Sequence, residues 1–210
     1  TEAARYLFLA SQNTHELNDN VLADNTDLLQ AEMFIDAHAF AQATRQVAEL
    51  EQRLRKRYAP EHYVFAQLSS ARARIALGRG DLPSAAHFAR EAVEIDEASI
   101  RRIGQCTALL STLLVSKSAM DLKSGQWEEA ASDARRAIKL LEDGEDPSIL
   151  SSNVGRAYLA LALALEAEGK PDEAQLAARK AYGNLQTTLG SDQPDTKRAR
   201  QLTNTHLPSH

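Results

Sequence analysis

The sequence predicts an all-α chain built from repeated antiparallel helix pairs. Three observations carry that prediction. Of 210 residues, 36 are Ala and 28 are Leu, both strong helix formers. Nine Gly and six Pro are too few for a turn-rich all-β chain. One glycine-centred pattern also recurs: Gly80-Asp81-Leu82-Pro83-Ser84-Ala85, Gly125-Gln126-Trp127-Glu128-Glu129-Ala130 and Gly169-Lys170-Pro171-Asp172-Glu173-Ala174, the glycines 45 and 44 residues apart.

Each glycine is followed by three alanines on one helical face: Ala85, Ala89 and Ala92; Ala130, Ala134 and Ala137; Ala174, Ala178 and Ala181. Glycine ends the first helix of a pair because a left-handed residue there costs it no Cβ clash. Pro83 and Pro171 stand where the second helix opens and a missing N–H does no harm. Small alanines let the two helices approach closely.

Element by element, residues 2–12 follow a helical pattern, and the Asn- and Asp-rich residues 13–26 read as a loop or broken helix. Asp27 to Tyr58 reads as one long helix or a helix pair, with Ala37, Ala41, Ala48, Leu50, Phe34 and Phe40 as the worn second helix of an earlier repeat. The cations of Arg53-Leu54-Arg55-Lys56-Arg57 suit a helix C-terminus. First helices are expected at 62–78, 101–123 and 149–168, and second helices at 82–98, 127–142 and 172–188. A final helix over 194–204 caps the stack with Lys197, Arg198 and Arg200 outward. This makes one helical-repeat domain over 1–210: degenerate repeat(s) at 1–58, repeats at 59–100, 101–146 and 147–190, and a cap and tail at 191–210.

Composition excludes several function classes. A net charge of −5 argues against a general nucleic-acid binder, which needs a dense cationic surface. The most apolar stretch, Ala157 to Leu165, is too short to span a membrane. The lone Cys106 leaves no internal disulfide and is compatible with a reducing cytoplasm. The chain opens on Thr1, which reads as a processed protein or an excised fragment.

Catalytic and metal chemistry find no pattern to stand on. Of His15, His38, His62, His87, His206 and His210 only the tail residues His206 and His210 stand four apart, so the histidines read as surface or packing residues. Cys106 reads as a buried inert thiol. Gly78-Arg79-Gly80-Asp81 closes a helix and is a turn, not a phosphate loop. Glu142-Asp143-Gly144-Glu145-Asp146 lacks calcium-loop spacing and reads as a solvated loop. The Arg53–Arg57 run reads as a solvated helix end, or as a contact for an acidic partner or phosphate. No cofactor, metal or catalytic residue is expected, and the chain does not read as an enzyme.

The repeated pattern resembles the tetratricopeptide repeat. Trp127 and Leu82 match its aromatic or apolar position after the glycine, and Pro171 departs from it. Tyr158, Leu161, Ala162 and Leu165 match its first-helix pattern; Ser69, Arg72, Ala73 and Ala76, and Leu114, Lys117, Ser118 and Asp121, are poorer. The likeness covers residues 62–190. The period of 44–45 resembles the kinesin-light-chain-like and transcription-activator-like subclasses, and the linker Leu189-Gly190-Ser191-Asp192-Gln193-Pro194-Asp195-Thr196 resembles that of the former.

The resemblance implies a right-handed α-α superhelix whose concave groove is lined by first helices. Its groove positions fall on Gln67, Ser70, Ala71, Arg74 and Leu77; on Thr112, Val115, Ser116, Ala119 and Leu122; and on Arg156, Leu159, Ala160, Leu163 and Glu166. The carboxylate-clamp residues of the family are missing, since Ser70, Arg74, Val115, Ala119, Leu159 and Leu163 stand there. Gln67, Ser70, Arg74, Thr112, Ser116, Arg156, Leu159 and Leu163 are the expected contacts for a protein or peptide segment with an acidic group. The alternative for Leu159 and Leu163 is packing against the preceding repeat. The implied function is a protein- or peptide-binding scaffold without nucleic-acid or membrane partners. The competing reading is a regulatory or sensor domain of a larger bacterial signalling protein, a kinase or transcription activator, that binds a small ligand or self-associates as a homodimer.

Overall fold

Four helix pairs among the described residues turn on one backbone geometry. The computed structural model describes residues 20–103, 108–144 and 150–204. Its helices are α1 (Asn20–Asp36), α2 (Phe40–Leu54), α3 (Tyr63–Gly78), α4 (Leu82–Ile103), α5 (Ala108–Lys123), α6 (Trp127–Gly144), α7 (Ser152–Ala167), α8 (Pro171–Leu189) and α9 (Pro194–Asn204). Gly80, Gly125 and Gly169 end α3, α5 and α7 with φ of 80°, 75° and 76°. After each, the next N–H reaches back into the last turn of the helix: Asp81 to the Ala76 carbonyl at 2.9 Å, Gln126 to Asp121 at 2.8 Å, Lys170 to Leu165 at 2.9 Å. That bond satisfies a carbonyl the helix end would leave bare.

The α1–α2 turn is the same turn without a glycine. His38 takes the left-handed position at φ 57°, and the Ala39 N–H reaches the Phe34 carbonyl at 2.8 Å. Aligned on His38, the buried face of α2 is Ala43, Val47 and Leu50, in register with the alanine triads of α4, α6 and α8. The nine alanines of those triads are buried as well. The segment read as a worn repeat forms a helix pair with the same turn, and its inward face is in a different register from the one the sequence suggests. Ala37, Ala41 and Ala48 are exposed, because the left-handed residue at 38 sets which side of α2 faces inward.

The chain packs as two compact units, Thr1–Arg102 and Ile103–His210. In the first, α1 to α4 bury a cluster that includes Ala31, Ile35, Leu50, Leu54, Phe65, Leu68 and Ile75. Phe40 lies against the backbone of Gly78, where a Cβ would stand 2.2 Å from its ring. In the second, Leu113, Leu114, Ile138, Tyr158, Leu161, Leu165 and Leu185 are buried among α5 to α8. Gly155 permits the close approach of α7 and α8, since a Cβ there would meet Leu185 Cγ at 2.7 Å. Thr196, Ala199 and Leu202 of α9 are buried too.

Two further expectations are corrected. Residues 20–26, part of the segment read as a loop or broken helix, are the unbroken first turns of α1: Ala23 is buried, and Asp24 and Asp27 meet guanidinium groups of Arg57 and Arg53 that offset their poor helix propensity. Residues 101–103 continue α4 rather than opening the next helix, and α5 begins at Ala108. Residues 2–12, and the carboxylates Glu145 and Asp146, lie outside the described residues.

The turn makes opposite demands at two positions. Gly125→Ala is expected to cost about 1–2 kcal/mol, the penalty of a left-handed L-residue. His38→Gly is expected to stabilise the protein by up to about 1 kcal/mol by removing that penalty. Urea unfolding checks both; a loss for His38→Gly would mean that its edge-on contact with Phe40, 5.6 Å between ring centres, outweighs the backbone term.

Candidate functional site

The expected groove residues divide into three fates. Arg74, on α3, pairs with Glu32 and, at 2.6 Å, with Asp36, both on α1. Its guanidinium ties one first helix to the preceding one. Gln67 and Ser70 are half-buried on the same helix. Leu159 is buried and so packs the second unit's interior, while Leu163 is half-buried.

Thr112, Ser116 and Arg156 come together. With Ser111, Val115, Leu141 and Asn153 they line a hollow of about 120 Å³ between α5, the end of α6 and the first turns of α7. Helix α7 starts where the Ser151 side chain accepts from the Asn153 N–H, and the Asn184 side chain accepts from the Ser151 N–H at 3.0 Å. These bonds hold Asn153 and Arg156 over α5. Arg156 Nε donates to Asp195 Oδ2 of α9 at 3.1 Å, and both side chains are open to solvent.

The arginines of the Arg53–Arg57 run are ion-paired, while Arg55, Lys56 and Arg57 remain exposed to solvent. Arg53 pairs with Asp27, Arg57 with Asp24 at 2.5 Å, and Arg55 with Glu51 at 2.7 Å. Glu51 also takes Arg72 of α3. Burial pushes the Glu51 carboxyl up, but the bonds from Arg72 and Arg55 outweigh it and hold it below its ordinary value of 4.5. In the second unit the polar residues at poor-match positions satisfy each other. Lys117 reaches Asp121 at 2.7 Å and Asp133 at 2.5 Å, and Ser118 Oγ donates to the Ala130 carbonyl at 2.8 Å. Burial pulls the Lys117 ammonium down, but the two carboxylates leave it net above its ordinary value; burial raises Asp121 and Lys117 opposes that rise. Tyr158 donates to Glu142 at 2.6 Å and accepts from Lys180 at 3.0 Å, joining α6, α7 and α8.

The described histidines have structural settings. His38 holds the first turn. His62 Nδ1 accepts from the Val64 N–H at 3.4 Å, caps α3 and stacks on Tyr58, with burial and then Arg102 lowering its pKa. His87 is exposed beside Phe88. His15, Cys106, His206 and His210 fall outside the described residues. Among the described residues no group of three or more His, Cys, Asp and Glu could hold a metal ion, and no helix is long and apolar enough to cross a membrane.

A second cavity has no counterpart in the sequence reading. About 350 Å³ in size, it lies in the first unit between α2 and α4 over α3, lined by Val47, Ala48, Ile75, Ala76 and Phe88, with Thr44, Arg72, Arg79, Asp81 and Ser84 also at its wall. Its residues span positions 44 to 88 on three helices, so no local motif announces it.

No protein-family model matches the chain, and no curated protein does. Solved structures do. BtubC (BKLC) from P. vanneervenii superposes with a TM-score of 0.74 at 17% identity, over 95% of this chain and 80% of that one. A Podosopora anserina protein of kinesin-light-chain type, with nearly identical TPR-like repeats, gives 0.64 at 14% identity over 85% and 82%, and a single-residue variant of it gives the same values. The fold is that of a tetratricopeptide-like helical repeat. In repeat terms, α1, α3, α5 and α7 are first helices, and α2, α4, α6 and α8 are second helices.

Removing the ammonium from the second unit's cluster should be costly. Lys117→Met leaves Asp121 and Asp133 without their cation and is expected to destabilise by about 3 kcal/mol in urea unfolding. The Glu51 carboxylate gives a pH test. Because its folded pKa is depressed, its contribution is complete above the unfolded value near 4.5 and is lost as pH falls through the folded pKa. Stability measured from pH 6 to pH 3 should therefore fall less steeply in Arg72→Gln than in the parent.

Proposed function

We propose that this chain is a non-catalytic scaffold that binds an extended protein or peptide segment on the face of its first helices. The observation that supports this reading is the hollow around Thr112, Ser116 and Arg156. Hydroxyls and an amide surround a small recess, and a guanidinium stands at its edge. Such a set suits a segment that offers a carboxylate and a small polar or apolar side chain. The Arg156–Asp195 pair is solvent-exposed and worth about 0–1 kcal/mol, so an incoming carboxylate displaces Asp195 at little cost. Arg74 is a poorer anchor because Glu32 and Asp36 already occupy it. The structural relatives support the scaffold reading through shared architecture, while the partner rests on this chain's own residues.

The test is selection of peptides from a random display library against the parent chain, followed by affinity measurement on two variants. Arg156→Glu reverses the charge, and Ser116→Trp fills the recess. Acidic peptides should be enriched, and each variant should weaken them at least tenfold with helicity unchanged. Undiminished binding to both variants would remove the first-helix face as the working surface.

A further inference from the structure

We propose that the cleft of the first unit is a binding site for a small apolar monocarboxylate. It is a different surface from the first-helix hollow and does not rest on that reading. The cavity of about 350 Å³ falls within the size range of small-molecule sites, near its lower end. Val47, Ile75 and Ala76 form an apolar floor, and Phe88 of α4 supplies an aromatic wall. Arg72 fixes that wall: its guanidinium lies 5.9 Å from the Phe88 ring centre while it pairs with Glu51. Asp81, in the turn between α3 and α4, also lines the cleft.

Charge identifies the ligand's head group. Arg79 is exposed, and its Nη2 donates to two neutral acceptors, the Phe40 carbonyl at 3.1 Å and Thr44 Oγ1 at 3.0 Å. Among the described residues no carboxylate lies within ion-pair distance of it, unlike Arg53, Arg55, Arg57, Arg72 and Arg74 around it. Thr44 is already committed, since it donates to the Phe40 carbonyl at 2.7 Å. The one carboxylate in the wall, Asp81, faces the start of α4, where its Oδ1 accepts from the Ser84 N–H at 3.1 Å and the helix dipole offsets its charge. A cation in the wall of a cleft with an apolar floor favours a ligand with one anionic end and an apolar body. An aryl group would lie against Phe88 and its carboxylate would take the remaining Arg79 donors.

The experiment is a titration of the full chain with 4-phenylbutyrate and with its neutral counterpart 4-phenylbutanol, followed by amide shifts in NMR. The acid should bind saturably and at least fivefold more tightly than the alcohol. Arg79→Gln should abolish that preference, and Ala48→Phe, at an exposed wall position, should weaken both compounds at least tenfold. Both substitutions sit on the surface, and circular dichroism checks that the helices persist. Absence of saturable binding to the parent, a preference that survives Arg79→Gln, or binding untouched by Ala48→Phe would each overturn the proposal.

Discussion

A single left-handed residue per helix pair is the constraint on which the architecture depends. It lets the last carbonyls of the first helix be answered from within the turn, and it fixes the direction in which the second helix leaves. The fifth residue after it then faces the first helix, in all four pairs, with its N–H bonded back to the residue following the turn at 3.0–3.1 Å. Side-chain size at that position is limited by the spacing of two helices, and all four pairs have alanine there: Ala43, Ala85, Ala130 and Ala174. Which residues of the first helix remain on the outer side follows from the same geometry.

Ion pairs perform the second task, tying helices together both within a pair and between neighbouring pairs. In the first unit Asp24, Asp27 and Glu32 of α1 are matched by Arg57, just past the end of α2, Arg53 of α2 and Arg74 of α3. Each is a guanidinium–carboxylate contact in which at least one partner is partly shielded, where losing one member strands the other. In the second unit the same task falls to the Lys117 cluster and the Glu142–Tyr158–Lys180 chain. Charged residues that a composition count assigns wholly to solvent thus tie neighbouring helices together.

Much of this was legible because it is periodic. The glycine and alanine register gives three of the four pairs, and the family resemblance implied Thr112, Ser116 and Arg156, which the structure brings around one hollow. The fourth pair was legible only as one of two readings of residues 27–58, and its register was missed because His38 lacks glycine's signature and Val47 and Leu50 replace two of its alanines. The fates of Arg53, Arg57 and Arg74 were illegible for another reason: their partners lie 26 to 42 residues away, and no spacing rule links them. The α2–α4 cleft required three helices to be placed before it existed.

The pairing of α1 with its neighbours bears on how this protein can be shortened. A fragment opening at Phe40 would retain the three glycine turns and look complete by repeat count. It would also expose the apolar surface that Ala31 and Ile35 now cover, and leave Arg53, Arg57 and Arg74 facing water without acids. A fragment of the first unit that keeps both this apolar cover and these ion pairs therefore begins no later than the turn of α1 that carries Asp24.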